Sequence, residues 1–96
     1  MEVNFIYSPD AVEDIEYWKI SGQKKIIKKI DNLLKDIALH PQTGIGKPEQ
    51  LRHQLSGYWA RRIDNTHRLI YQIMSDEEIQ ILSLRDHYDK KLSNLE

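Results

Sequence analysis

Apolar residues recur at spacings of three and four in the second quarter of the chain, and this pattern constrains the fold most. The side chains that share the spacing are Ile26, Ile27, Ile30, Leu33, Leu34 and Ile37. They predict an amphipathic helix over about residues 23–39, with lysines covering most of its opposite side. His40-Pro41 ends it, because proline disfavours helical backbone in the residue before it. Such a helix needs an apolar surface to cover.

The rest of the chain predicts one more helix and a sheet. Residues 3–7 are β-branched and aromatic and roughly alternate, which indicates a strand. Ser8-Pro9 then begins a helix that Ser21-Gly22 ends, with Ser8 as the N-cap. The second helix, over residues 23–39, is followed by a loop over residues 42–49. Three strand-like runs cover residues 58–63, 68–74 and 79–85, separated by short polar turns.

The order β-α-α-β-β-β predicts an α+β domain in which both helices pack on one face of a mainly antiparallel sheet. We expect a single domain over residues 1–88 and a short C-terminal tail over residues 89–96. The last two residues, Leu95-Glu96, match a common cloning remnant and carry no functional interpretation.

Composition excludes several kinds of site. There is no cysteine, so disulfides and thiolate metal sites are excluded, and the four scattered histidines predict no metal. The segment around Gly44 lacks the spacing of a phosphate loop, so we expect no cofactor. No basic leader or long apolar run is present, which predicts a cytoplasmic protein without membrane contact.

The charge distribution is uneven, although the net charge is only −1. Between residues 47 and 68, only two acids, Glu49 and Asp64, oppose a set of five basic residues, namely Lys47, Arg52, Arg61, Arg62 and Arg68. A near-neutral protein can therefore hold a basic surface. This pattern permits nucleic-acid binding, which the net charge alone would argue against.

RNA cleavage can be performed by a set of four side chains found in this sequence, namely Glu49, Arg68, His87 and Tyr88. RNA supplies its own nucleophile, the ribose 2′-hydroxyl, so an enzyme needs a base, an acid and a positive charge on the phosphate. Glu49 fits the base, His87 the acid and Arg68 the positive charge. Tyr88 fits phosphate orientation or base stacking. On residue types alone, structural ion pairs and solvated side chains are the commoner interpretation.

Three segments resemble the YoeB branch of the RelE-like toxins. They are residues 46–63 (GKPEQLRHQLSGYWARRI), residues 66–71 (THRLIY) and the closing His87-Tyr88. The resemblance extends over residues 3–88. It implies a RelE-like, microbial-RNase-like fold and a metal-independent endonuclease that cuts messenger RNA on the ribosome. It also implies general base, transition-state, general acid and positioning roles for Glu49, Arg68, His87 and Tyr88, in that order.

The resemblance further implies RNA contacts at Lys47, Arg52 and Arg62, and the charge distribution adds Arg61 to the expected RNA-binding residues. Its implied partners are a YefM/Phd-type antitoxin, the ribosome with its messenger RNA, and operator DNA bound through the antitoxin in transcriptional co-repression. Homodimer formation stays open. Arg52 stands where the family often has lysine, Asp86 stands where an aromatic is common, and residues follow Tyr88, where the family commonly ends.

Two alternatives remain at this point. One is a RelE-fold toxin of the ParE type, which poisons gyrase and is not a nuclease. The other is a catalytically silent protein that only binds the antitoxin as a co-repressor. Glu49, Arg68 and His87 argue against the first, because ParE-type proteins generally lack this set.

Overall fold

The computed structural model describes residues 2–85, and the elements within this range follow the predicted order. They are β1 (Asn4–Tyr7), α1 (Pro9–Ser21), α2 (Lys24–Leu39), β2 (Glu49–Gln50), β3 (Tyr58–Arg62), β4 (Arg68–Ile73) and β5 (Glu78–Ser83), with a 3₁₀ turn at His53–Leu55. The predicted α+β class is confirmed. The short strand β2 is an addition, because we predicted a loop there. The predicted tail over residues 89–96 lies outside the described residues.

The five strands form one sheet in the order β1-β5-β4-β3-β2. β1 pairs with β5 in parallel, and all other pairs are antiparallel. The two helices follow β1 in the chain and separate it from the other strands. The last strand, β5, then pairs with β1. The prediction of a mainly antiparallel sheet is therefore confirmed. β2 forms the edge opposite β1, and it begins with Glu49.

α1 begins and ends as its sequence predicts. The Ser8 side chain accepts a hydrogen bond from the Ala11 amide at 3.0 Å, which satisfies a free N–H of the first turn. Gly22 ends the helix in the left-handed conformation with φ 71°. Such a φ is strained for residues that carry a Cβ, so glycine suits this cap.

Polar contacts attach α1 to the end of β5. Trp18 donates its indole N–H to the Leu84 carbonyl at 2.9 Å, and Asp14 accepts from the Leu84 amide at 2.9 Å. The Ser8 hydroxyl also donates to the Leu82 carbonyl at 2.7 Å. These bonds determine where the chain leaves the sheet, just before His87 and Tyr88 in the sequence.

Two apolar clusters lie on opposite faces of the sheet. The main core packs the helices on one face through Trp18, Leu33, Ile37, Leu69 and Tyr71, together with other buried residues. A smaller cluster on the other face joins Leu51, Leu55, Ala60 and Ile70. We call this second side the open face, because neither α1 nor α2 packs on it; the 3₁₀ turn contributes only Leu55 to its cluster. No helix in the described range is long and apolar enough to cross a membrane.

Candidate active site

Glu49 lies on the edge strand β2, directly opposite Ala60 of β3. Directly opposed residues of antiparallel strands project to the same face, and Ala60 belongs to the cluster on the open face. The register therefore places Glu49 on the open face, at the margin of the sheet. Its side chain is exposed. A carboxylate in this position is accessible to a ligand that lies across the sheet.

Arg62 and Arg68 are directly opposed on β3 and β4. Their Cα atoms are therefore about 5 Å apart, and both side chains belong to the open face. Like charges in this arrangement repel each other. Neither arginine forms an ion pair with an acidic residue in the range 2–85. The pair is thus a concentration of positive charge that an anion would stabilise.

The guanidinium of Arg68 is held against the turn between β3 and β4. Its Nη1 donates to the carbonyl of Asp64 at 2.9 Å and to the carbonyl of His67 at 3.1 Å. Asp64 stabilises this turn, because its carboxylate accepts hydrogen bonds from the amides of Thr66 and His67. Burial raises the pKa of Asp64, but these two hydrogen bonds, together with nearby positive charge that includes Arg68, outweigh it and leave that pKa below its usual range.

β5 ends beside Arg68. Ser83, the last residue of β5, pairs with Ile70, which is two residues after Arg68 on β4. The register skips Leu82, so a β-bulge lies next to this end of the strand. The predicted site residues His87 and Tyr88 lie outside the described residues. They follow Ser83 by four and five positions in the sequence.

Arg61 corrects one prediction. We expected it on the exposed basic surface, but it is fully buried on the helix side of the sheet. Its Nε donates to the Tyr71 hydroxyl, Nη1 donates to the Asp36 carboxylate and the Ile45 carbonyl, and Nη2 donates to the carbonyls of His40 and Thr43. All five N–H groups are therefore occupied within the protein. The expectation that Arg61 contacts RNA placed it on the wrong face.

These bonds attach the loop after α2 to the sheet. Arg61 contacts three carbonyls of residues 40–45, and the Tyr71 hydroxyl donates to the Pro41 carbonyl at 2.6 Å. The Arg62 amide also donates to the Gly46 carbonyl at 2.7 Å. The loop continues directly into Lys47 and Glu49. Arg61 therefore positions the exposed residues without itself being accessible.

Asp36 and Tyr71 are the residues of this network that sequence reasoning missed. The hydrogen bond from Arg61 holds the pKa of Asp36 below its usual range; burial opposes this effect, and the Ile45 amide supports it. Burial raises the pKa of Tyr71, and the hydrogen bond from Arg61 offsets only part of the rise. A signal for the network existed, because Arg61 shares its face of β3 with Trp59 and Ile63, which pack on the helices. A buried cation on that face needs partners.

The other predicted basic residues are exposed. Lys47, Arg52 and Arg62 are accessible, and Arg68 is half-buried at the edge of the open face. We call these four residues the basic surface. Lys47 has a φ of 52°, a left-handed conformation that is uncommon for a residue with a side chain. Within residues 2–85, no three His, Asp or Glu side chains are grouped as a metal site requires.

A sequence model of the YoeB-like toxins of bacterial type II toxin–antitoxin systems matches residues 7–88. The chain belongs to this family. A protein named Toxin YoeB from Mycobacterium bovis is 46% identical over 86 residues, which are 90% of this chain and 96% of that protein. The resemblance to the YoeB branch, predicted over residues 3–88, is therefore confirmed as family membership.

Solved structures of YoeB proteins share the fold. The YoeB dimer from Staphylococcus aureus superposes with a TM-score of 0.81 at 44% identity, covering 92% of this chain and 100% of that one. A heterotetrameric YoeB–YefM toxin–antitoxin complex from the same organism gives a TM-score of 0.80 with the same identity and coverage. The YoeB arrangement of two helices and a five-stranded mixed sheet is thus the arrangement found in this chain.

Proposed function

We propose that this toxin is a ribosome-dependent, metal-independent endonuclease that cuts messenger RNA. One observation carries the proposal: Glu49, the opposed pair Arg62 and Arg68, and the end of β5 all lie at one end of the sheet. Each belongs to a different strand, and the antiparallel register brings them together. A base, a positive charge and the exit toward His87 are thereby adjacent.

The chemistry begins with the 2′-hydroxyl of the RNA. Glu49 takes its proton while the 2′-oxygen attacks the neighbouring phosphorus. Arg68 stabilises the extra negative charge of the pentacoordinate phosphate. The bond from phosphorus to the 5′-oxygen then breaks, and His87 protonates the departing oxygen. The products are a 2′,3′-cyclic phosphate and a 5′-hydroxyl. No water is activated, so the reaction needs no metal.

RNA binding is assigned to the basic surface. Lys47, Arg52 and Arg62 are exposed, and the first two lie within three residues of Glu49 in the chain. We assign all three to contacts with backbone phosphates. Tyr88 is assigned to orienting the scissile phosphate or stacking on a base. Arg61 is left out of this assignment because its donors are occupied inside the protein.

The proposed partner is an antitoxin of the YefM type, as in the related complex from Staphylococcus aureus. An acidic segment of the antitoxin would cover the basic surface and neutralise its charge. The pair would then bind operator DNA through the antitoxin and repress its own transcription. Self-association of this chain is also proposed, by analogy with the YoeB dimer from Staphylococcus aureus.

The decisive experiment measures messenger cleavage on translating ribosomes with purified wild type and two variants. Glu49→Gln removes the base without changing the shape, and we expect a loss of roughly 10²- to 10⁴-fold. Arg68→Ala should cost about 10²- to 10³-fold. The matched control is Glu78→Gln, the same substitution at the opposite end of the sheet beside Asn4, and it should cleave normally.

Product ends test the reaction type. Cleavage should leave a 2′,3′-cyclic phosphate, and a message with a 2′-deoxy residue at the cut position should resist. If folded Glu49→Gln cleaves at the wild-type rate, the proposed base is wrong. If Glu49→Gln still arrests growth while leaving messages intact, a non-nuclease toxin such as the ParE type is indicated. If wild type neither cleaves nor arrests growth, the co-repressor alternative is indicated.

A further inference from the structure

A cleft of about 300 Å³ lies beside the candidate active site, where α2, the loop after it and the β3–β4 turn meet. Three cationic residues border it, and each comes from a different part of the fold: Lys29 from α2, Lys47 from the loop and Arg62 from β3. None of the three forms an ion pair with an acidic side chain of residues 2–85. The cleft is therefore open and positively charged.

Among residues 2–85, one carboxylate lines the cleft, and it is already engaged. Asp64 accepts hydrogen bonds from the amides of Thr66 and His67 at 2.8 and 2.6 Å, which close the turn. It does not pair with any of the three cations. The neighbouring lining residue Asn65 adds a neutral amide. Cations outnumber the carboxylate three to one, which favours an anionic ligand.

The position of the cleft is determined by packing. The Gly46 carbonyl accepts from the Arg62 amide, so the loop runs directly along β3. A Cβ added at Gly46 would lie only 2.7 Å from Leu33 of α2, so the loop also lies against that helix. Lys29 is one turn before Leu33 and projects from the same side of α2. It is half-buried, whereas its neighbour Lys28 is exposed.

We propose that this cleft binds a backbone phosphate of RNA at a position outside the scissile bond, with Lys29 as a phosphate contact. The inference rests on the proposed function. Arg62 connects the two places, because it opposes Arg68 on the open face and also borders the cleft. An RNA strand that crosses the open face and contacts Arg62 can continue over the sheet margin and place a phosphate near Lys29. A phosphate in the cleft lowers the repulsion among the three cations.

The test compares Lys29→Glu with Lys28→Glu, which makes the same charge change at the adjacent, exposed position. The first probe is a 2′-O-methyl oligouridine, which cannot be cleaved, titrated against the full chain at several salt concentrations. We expect Lys29→Glu to weaken binding about tenfold and Lys28→Glu less than about twofold. Lys29→Gln should lower the slope of log K against log salt by about 0.7, the value for one phosphate contact on a single strand.

The second probe is the vacant bacterial ribosome, which carries no message. A loss with the oligouridine alone identifies the ligand as a message phosphate, and a loss with the vacant ribosome alone identifies it as a ribosomal RNA phosphate. Equal behaviour of Lys29→Glu and Lys28→Glu with both probes would overturn the proposal. So would an unchanged affinity for both RNA probes together with a selective loss of antitoxin binding, which would assign the cleft to an acidic peptide.

These binding measurements do not depend on cleavage, so the two proposals can fail separately. If Glu49→Gln still cleaves, the catalytic assignment is wrong. The binding titrations of Lys29→Glu still test the cleft in that case. If Lys29→Glu is poorly folded, Lys29→Gln gives the answer, because it keeps a similar aliphatic stem and removes only the charge.

Discussion

Arg61 and Asp36 form an ion pair that attaches β3 to the last turns of α2, and the arginine side chain is fully buried. The next residue, Arg62, faces the opposite side of the sheet and is exposed. These two adjacent arginines therefore have different roles. Arg61 holds the loop that leads to Glu49, and Arg62 remains available to a ligand.

Truncating Arg61 should destabilise the protein far more than truncating Arg62. Arg61→Ala leaves the Asp36 carboxylate and the carbonyls of His40, Thr43 and Ile45 without their donors, which should cost about 3–5 kcal/mol of unfolding free energy. Arg62→Ala should cost less than about 0.5 kcal/mol, as for most exposed substitutions. Urea denaturation measures both. Equal losses would contradict the structural role of Arg61.

Arg61→Lys should recover only part of this stability. Lysine keeps the positive charge near Asp36, but its three donors cannot reproduce the planar fork that contacts five acceptors. We expect an unfolding free energy between those of wild type and Arg61→Ala. A fully wild-type value would show that charge alone, and not the guanidinium geometry, holds the loop.

The Asp36 carboxylate should make stability depend on pH in the acidic range. Its pKa in the folded protein lies below the unfolded value of about 3.9. The stabilisation is therefore complete above the unfolded pKa and is lost as pH falls through the lower, folded pKa. The difference in unfolding free energy between wild type and Asp36→Asn should be constant at pH 6–8 and should shrink below about pH 4.

The control for this pH series is Asp31→Asn, which removes a surface ion pair with Lys35. Exposed pairs contribute little, so its difference from wild type should stay within about 1 kcal/mol at every pH. Asp64 is retained in all three proteins, so its own titration cancels from the comparison. A difference for Asp36→Asn that grows toward low pH would have the wrong sign for this ion pair.

Gly46 and Gly22 provide a matched pair for the loop. Their φ angles are similar, 79° and 71°, so alanine meets a comparable backbone strain of about 1–2 kcal/mol at each. At Gly22 nothing lies within 4 Å of the added Cβ, whereas at Gly46 it meets Leu33 at 2.7 Å. Gly46→Ala should therefore be the more destabilising by at least about 1 kcal/mol. Equal thermal unfolding midpoints would contradict the close packing of the loop on α2.

Antitoxin binding should weaken as salt concentration rises. The basic surface has four cationic residues that form no ion pair within residues 2–85, and an acidic segment would gain most of its attraction from them. Calorimetry at increasing ionic strength should show a rising Kd, and Arg62→Ala should reduce that dependence. Lys35→Ala, which removes an exposed lysine of α2 outside the basic surface, should leave it unchanged. A salt-independent Kd would place the antitoxin interface elsewhere.

The sequence by itself determined the helices, the main strands and the family. Apolar spacing in residues 26–37 and the Ser8 cap are local signals, because helix periodicity and capping depend on neighbours within four residues. The three strand runs are similarly local. The segments over residues 46–63 and 66–71 carried the family resemblance, and with it the proposed roles of Glu49 and Arg68. These roles remain proposals that the cleavage assay tests.

Only the tertiary structure decided which arginine is buried and which positions meet. Strand alternation separated Arg61 from Arg62. It could not show that Asp36, Tyr71 and three loop carbonyls accept all the hydrogen bonds of the Arg61 guanidinium, which makes burial of this cation tolerable. β2 was missed because two residues carry no periodic pattern, and its strand conformation comes from pairing with β3. The register between neighbouring strands also brings Glu49, Arg62 and Arg68 to one end of the sheet. This register depends on hydrogen bonds between strands, which the residue pattern within one strand does not contain.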